Sequence, residues 1–284
     1  MNAAQTIDVL LGTWIVRVSG PPSIAPHLAA VLGSLRIEGE DPAPLEVTIA
    51  ADERTALGAV AGRPLWSVSL PAGRGLSVLL GQVVATLTSL LERLLFVHAG
   101  AVVMEGRAWV LLGGSGAGKT SAVCSLLRRG AVYLSDELAL LDPDEGTVVP
   151  ATLPMAIKPW TAWAAGSLPR GREVACDGSA RFWLPMERAA GPVRAHAFVR
   201  LGRAGRAARL VPLSRAGMLL AIAGHPSSFC YRHRVEDAFV GFGRVLRTAQ
   251  CFALEARNPA ACADMLVSAG RATDGPATLR RRAL

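Results

Sequence analysis

The chain has 284 residues, a length that suits one large or two modest domains. Hydrophobic residues make up 51% and charged residues 18%, a composition that can form a core and excludes disorder of the whole chain. Its five cysteines are scattered without a closely spaced pair, which disfavours both a disulfide framework and a structural zinc site. The formal net charge of +8 comes mainly from arginines that are thinly spread and not interleaved with aromatic residues, so we expect no nucleic-acid partner.

One uncharged segment, residues 75–91, is a candidate membrane span. It contains Gln82, Thr86, Thr88 and Ser89, and it is shorter than the ~20 residues that a bilayer requires. The first residues of the chain lack the apolar stretch of a secretory signal. The sequence therefore predicts a cytoplasmic protein without a membrane partner.

The first part of the chain, residues 1–96, is predicted to be a smaller, β-rich α+β domain. Alternating apolar and polar residues favour strands, prolines mark the turns between them, and a long apolar run favours a helix. The predicted elements are strands at 10–18, 45–50 and 65–70, a turn at 20–22 and a helix at 75–95.

From residue 97 the pattern becomes that of an α/β core, which we assign to a second domain over 97–270. The predicted elements are strands at 98–104, 109–112, 131–134, 195–201 and 251–255, helices at 119–129, 215–223, 235–248 and 260–269, and a hairpin at 138–146. Prolines and glycines predict a loop-rich stretch after residue 150, and 271–284 is expected to be a flexible tail.

A glycine-rich segment carries the clearest chemical signal. Residues 113–120 read GGSGAGKT, which fits the phosphate-binding pattern G-x-x-x-x-G-K-[ST] between an apolar strand and a helix. In such a loop the backbone N–H groups surround phosphate oxygens, the lysine bridges the outer phosphates and the hydroxyl ligates Mg²⁺. The candidate nucleotide-binding residues are Gly113, Gly114, Ser115, Gly116, Ala117, Gly118, Lys119 and Thr120.

Two acidic residues, Asp136 and Glu137, end the next predicted strand. Because a single short helix joins this strand to the strand before the loop, we expect the two strands to be parallel neighbours and the carboxylates to overhang the phosphate site. Carboxylates in that place serve Mg²⁺ or take a proton from an attacking hydroxyl. In ABC-type ATPases the acidic strand comes much later, and no LSGGQ-like segment occurs here.

Two further residues have open interpretations. His98 enters the strand before the loop, where a histidine is more often a packing or capping residue than a functional one. Lys158 is one of only two lysines in an arginine-rich chain, and an ammonium is not interchangeable with a guanidinium at a catalytic point charge. Lys158 is therefore a candidate phosphate or substrate contact, unless it is a solvent-facing residue of a loop.

Taken in order, these residues resemble HPr kinase/phosphorylase, and more closely the HPr-kinase-related kinases of bacterial peptide-maturation clusters. The matching segments are His98-Ala99-Gly100, GGSGAGKT, the helix end at Arg129-Gly130, and Ser135-Asp136-Glu137. The resemblance covers about residues 97–150 well and the remainder in outline. It implies an α/β fold with the P-loop core that phosphoenolpyruvate carboxykinases and HPr kinases share, whose topology differs from that of ordinary P-loop kinases.

The resemblance also implies roles. Asp136 would be the general base on a substrate hydroxyl, Glu137 would join Thr120 at Mg²⁺, and His98 would sit beside the phosphates or the base. The second carboxylate is Glu where the family has Asp, and the glycine- and arginine-rich phosphorylase signature of the HPr kinases has no match. Related kinases phosphorylate a peptide serine, including the C-terminal serine of lasso-peptide precursors, and their corresponding loop resembles residues 154–159.

The sequence thus predicts an ATP- and Mg²⁺-dependent kinase that acts on a hydroxyl, first of all a serine of a peptide or protein. Self-association is implied by the resemblance alone. Two alternatives stay open: a kinase for a small molecule such as a sugar or amino acid, and a regulatory protein that binds nucleotide without transferring phosphate.

Overall fold

The computed structural model describes residues 5–11, 14–33, 45–52, 54–72, 74–89, 91, 93–151, 153–159, 161, 168–203, 208–224 and 235–272. The predicted tail lies outside these residues from position 273 onward. None of the helices described is both long enough and apolar enough to cross a membrane.

A five-stranded sheet forms from the first part of the chain. Its strands are β1 (Gln5–Leu11), β2 (Trp14–Gly20), β3 (Leu45–Ala51), β4 (Thr55–Val60) and β5 (Arg63–Ser69), and they lie in chain order. Helix α1 (Ala25–Leu32) lies between β2 and β3 in the chain, and these two strands are parallel. Helix α2 (Gly75–Ser89) follows β5 in the chain. Buried residues of α1 and α2 share one hydrophobic cluster with the inner face of the sheet.

Two predictions for this region are corrected by the structure, and two of its elements were not predicted. The strand predicted over 10–18 is instead two antiparallel strands, because the chain reverses between the paired residues Leu11 and Trp14. The helix predicted over 75–95 ends at Ser89, and the chain continues into a short strand. Strand β4 and helix α1 were not predicted; β4 is poor in β-branched residues, and pairing with its neighbours on both sides compensates for its weak propensity.

A larger, nine-stranded sheet carries the site. Its strands are β6 (Leu95–Val97), β7 (Gly100–Met104), β8 (Arg107–Leu112), β9 (Val132–Ser135), β10 (Ala139–Asp142), β11 (Thr147–Val149), β15 (Val193–Arg203), β16 (Arg209–Pro212) and β17 (Gln250–Ala256). Strands β8, β15 and β17 are mutually parallel neighbours, with β15 in the middle. Strand β7 pairs antiparallel with both β8 and β9, so it lies between them. The prediction that β8 and β9 are neighbours is therefore wrong, although their directions agree.

Helices cover both faces of this sheet. Helices α3 (Lys119–Leu127) and α6 (Pro259–Ala272) contribute buried residues to one hydrophobic cluster, together with Trp109 and Tyr133. Helices α4 (Arg215–Ala223) and α5 (Val235–Thr248) contribute to a second cluster, which contains Phe198. The carboxyl ends of the parallel strands consequently meet at one edge between two helical layers, which is where α/β sheets place their ligand sites.

The stretch predicted to be loop-rich contains a third sheet. Its strands β12 (Met155–Ile157), β13 (Gly171–Cys176) and β14 (Arg181–Pro185) are antiparallel, with β14 in the middle. The Tyr133 hydroxyl donates a hydrogen bond of 2.8 Å to the Leu153 carbonyl and so ties β9 to the segment that leads into β12. Lys158 follows β12 directly.

Contacts cross the predicted domain boundary between residues 96 and 97. The hydrophobic cluster of the five-stranded sheet also contains Leu140 and Phe182 from later in the chain. The Asp177 carboxylate accepts hydrogen bonds from the Ser77 amide (3.0 Å) and hydroxyl (2.8 Å) in the first turn of α2. The division into two domains stays a prediction, and these contacts join its two sides.

We expect Asp177→Ala to lower the free energy of unfolding by about 1–2 kcal/mol, because it removes the acceptor for the first turn of α2 and for the neighbouring β13–β14 turn. Urea unfolding at pH 7 measures the change. Asp264→Ala is the matched control: Asp264 makes only an exposed ion pair with Arg129, and its loss should cost under ~0.5 kcal/mol. Equal losses in the two variants would contradict the capping role of Asp177.

Candidate functional site

The glycine-rich segment forms the turn between β8 and α3. Gly116 and Gly118 have φ angles of 77° and 94°, a left-handed conformation in which an L side chain is strained. Ala117 N–H donates to the Gly114 carbonyl at 3.0 Å, which closes the turn, and α3 begins immediately after Gly118. The loop therefore turns the chain sharply from the sheet edge into the first turn of a helix.

This loop opens into a cavity of about 610 Å³. Among the predicted site residues, His98, Glu137, Lys158 and residues 115–120 line it. Gly113, Gly114 and Asp136 do not reach its wall. The ends of β15 and β17, the start of α6 and Thr161 complete the lining.

Lys119 is held within the loop. Its side chain is buried, and Nζ donates a hydrogen bond of 2.8 Å to the Gly113 carbonyl. Burial lowers the pKa of Lys119, while the nearby carboxylates of Glu137 and Asp136 act in the opposite direction. The ammonium group thus lies at the wall of the cavity with two acidic groups near it.

Asp136 lies beneath the start of α3 and is only 2% exposed. Its Oδ2 accepts a hydrogen bond of 3.0 Å from the Thr120 hydroxyl. Its Oδ1 is buried and has no hydrogen-bond partner within the described part of the chain. Burial, with the neighbouring Glu137 charge, raises the pKa of Asp136 to about 7. The residue is therefore a buried carboxyl group attached to the hydroxyl that the loop presents.

Glu137 points elsewhere. Its Oε2 lies 3.3 Å from His98 Nδ1, and its side chain is 45% exposed against 26% for His98. Both residues face the cavity. Two consecutive carboxylates therefore have different surroundings, one enclosed against Thr120 and one open beside a histidine.

The strand order that brings the acidic pair close to the loop was not indicated by the sequence. Strand β7 separates β8 from β9, and Ala101 on β7 is paired with Ser135. Asp136 follows Ser135 in the chain and therefore lies beside Gly100, where α3 packs against β7. The cluster is assembled across an intervening antiparallel strand and not between adjacent parallel strands.

Several cavity residues were not singled out from the sequence. They are Ser121, Ala122, Thr161, Leu201, Gly202, Leu254, Ala256, Arg257, Asn258, Pro259 and Cys262. Most of them lie at the carboxyl ends of β15 and β17 or just after β17, and the sequence did predict both strands. The rule that parallel strands meet at their carboxyl ends was the signal that could have found them, once these strands were known to be parallel to β8.

The donor set fits a magnesium–nucleotide complex better than a metal held by the protein alone. No group of three or more histidine, cysteine, aspartate or glutamate side chains is arranged to hold a metal ion in the described ranges. Mg²⁺ in nucleotide sites takes one or two carboxylates or hydroxyls and completes its shell with phosphates and water. Thr120, the unsatisfied Asp136 oxygen and Glu137 supply such groups beside the glycine-rich loop.

No family model matches the chain, and no curated protein matches it in sequence. Among solved structures, it is similar to the HPr(Ser) kinase/phosphatase from Coxiella burnetii, with 14% identity and a TM-score of 0.35 over 63% of this chain and 97% of that chain. An overlap of this quality does not place the chain in a family. Its function has to be inferred from its own site.

The buried Asp136 carboxyl makes stability depend on pH. Because its pKa is raised to about 7 in the folded protein, the folded state holds a proton that the unfolded chain releases from about pH 4 upward. The free energy of unfolding should therefore fall as pH rises through this window. In metal-free buffer, we expect Asp136→Asn to lack this fall and to be more stable than wild type at pH 8, by up to ~4 kcal/mol. Urea unfolding at pH 5 and pH 8 measures it; parallel curves for the two proteins would show that Asp136 is ionised throughout.

Proposed function

We propose that this chain is a kinase that transfers the terminal phosphoryl group of ATP to a hydroxyl. The observation that carries the proposal is the Thr120–Asp136 hydrogen bond at the glycine-rich loop, beside a cavity that also contains Lys119 and the Glu137–His98 pair. Phosphoryl transfer depends mainly on positioning and charge neutralisation, and this set supplies donors, a cation and carboxylates at one point. The reaction uses the ATP of the cytoplasm, which is where we place the protein.

The proposed roles follow from these positions. The loop backbone and Lys119 bind the phosphates, and the Thr120 hydroxyl with the Asp136 carboxylate forms the metal-binding side of the site. Bound Mg²⁺ supplies charge neutralisation of the phosphates. Lys158, which also lines the cavity, is a second cation available to a phosphate or to the acceptor.

The geometry favours a division between the two carboxylates that differs from the one implied by the family resemblance. Asp136 is enclosed and bonded to Thr120, so it has no open path to an acceptor hydroxyl. Glu137 lies in the cavity and has His98 at its side. We therefore assign the general base to Glu137, with His98 orienting it, and the metal side to Asp136.

Three variants test this division. Glu137→Gln should lower kcat by roughly 10²–10⁴-fold, the usual contribution of a general base, with little change in nucleotide affinity. Lys119→Ala should weaken nucleotide binding strongly, and Asp136→Asn should raise the Mg²⁺ concentration needed for half-maximal rate. Steady-state kinetics and calorimetric nucleotide titration measure these effects. Wild-type turnover by Glu137→Gln would remove it from proton transfer, and loss of turnover confined to Asp136→Asn would favour the assignment that the resemblance implies, with Asp136 as the general base.

The cavity also supports a nucleotide over inorganic pyrophosphate as donor. Its volume is in the range of sites for drug-sized ligands, and one wall is apolar, formed by Leu201, Leu254 and Ala256 with Pro259. A pyrophosphate would leave this wall uncovered. We propose that the wall receives the nucleoside.

Ala256→Trp should fill this part of the cavity and leave the glycine-rich loop intact. We expect the affinity for ATP to fall at least about tenfold, which corresponds to ~1.4 kcal/mol, while the affinity for inorganic tripolyphosphate stays at the wild-type value. Ser268→Trp, on an exposed position of α6 away from the cavity, is the control for the added indole. Equal losses for both ligands would mean that the wall does not contact the nucleoside.

The acceptor that we propose is a serine of a peptide or protein, with the C-terminal serine of a lasso-peptide precursor as the first candidate. This part rests on the resemblance of the motifs, as does self-association. Incubation with γ-labelled ATP and matched peptides ending in Ser or Ala distinguishes the acceptors. Label on a sugar or amino acid instead would identify a small-molecule kinase, and nucleotide binding without any labelled product would identify a regulatory protein.

A further inference from the structure

One face of α3 makes two contacts with the sheet. Thr120 and Val123 are three residues apart in the helix, so their side chains lie on the same face. Thr120 reaches Asp136, and Val123, which is fully buried, lies against Gly100 at the start of β7. The second contact is so close that it depends on residue 100 having no side chain.

A methyl group on Gly100 would lie 2.7 Å from Val123 Cγ2. Non-bonded carbon atoms prefer about 3.5–4.0 Å, so ~1 Å of space is lacking. Val123 has little freedom to turn away, because a valine in a helix is held in one strongly preferred rotamer. The strain would therefore be relieved by movement of the helix away from β7.

We propose that Gly100 is a positioning residue for the site: the absence of a side chain there seats α3 on β7 and thereby keeps the Thr120 hydroxyl within hydrogen-bond distance of Asp136. The inference rests on the proposed kinase function. A displacement of ~1 Å at Val123, one helical turn from Thr120, is enough to lengthen the 3.0 Å bond beyond hydrogen-bond range. A methyl group on Gly100 would also lie 3.8 Å from the unsatisfied Asp136 Oδ1.

The test is a cycle of Gly100→Ala, Val123→Ala and the double variant. We expect Gly100→Ala to lower kcat roughly 10- to 100-fold, the cost of a 1 Å misplacement, and to raise the Mg²⁺ concentration for half-maximal rate. Val123→Ala should lower the Tm and leave the Mg²⁺ requirement at the wild-type value. The double variant keeps the methyl group at residue 100 but lacks the Val123 methyl group that it would meet, so it should regain the wild-type Mg²⁺ requirement and most of kcat. Gly81→Ala in α2, where an added methyl meets no atom within 4 Å, is the control.

Thermal unfolding of the same four proteins without nucleotide gives a readout that does not depend on catalysis. The proposal expects the two substitutions to be non-additive, with Gly100→Ala far less damaging when Val123 is already Ala. Additive losses, or a double variant that keeps the high Mg²⁺ requirement, would overturn the positioning role. If the wild type bound no nucleotide, the proposed function would fail, while the unfolding cycle would still decide whether Gly100 seats α3.

Discussion

The hydrogen bond between Thr120 and Asp136 is the contact on which the arrangement of the site depends. It joins the first turn of α3, and hence the glycine-rich loop, to the end of β9. Strand β7 lies between β9 and β8, the strand that leads into the loop. The contact therefore exists only because α3 lies very close to β7 at Gly100. Sheet order, helix position and the glycine together bring a hydroxyl and a carboxylate to one point.

The same segment supplies two carboxylates of different character. Asp136 is enclosed, and burial raises its pKa, whereas Glu137 opens into the cavity beside His98. Environment, and not residue type, divides acidic groups into different chemical roles. A buried carboxylate with an unsatisfied oxygen is costly in a folded protein, and such a cost is typical of a site that has a cation to bind. The division between these neighbours is therefore central to the kinase proposal.

Much of the local structure could be predicted from the sequence. The helices over 215–223 and 235–248 were predicted with the bounds that the structure has, and the glycine-rich turn was predicted from glycines, which adopt the positive φ angles that other residue types rarely tolerate. The three-stranded sheet over 155–185 was missed, because its strands are short and the pairing of β12 with β14 is not local. Likewise, no property of residues 254–258 marks them as cavity residues until β17 is known to lie parallel beside β15.

The chemical groups of the site can be recognised without the fold: the phosphate-loop pattern, its lysine and threonine, and the acidic pair at a strand end. These are local signals, since turn geometry and hydrophobic periodicity depend on residues close in the chain. The fold was needed to learn that Asp136 meets Thr120, that Glu137 lies beside His98, and that β7 lies between β8 and β9. Those outcomes depend on strand order and helix packing, which are set by many weak contacts between distant residues and leave no periodic trace in the sequence.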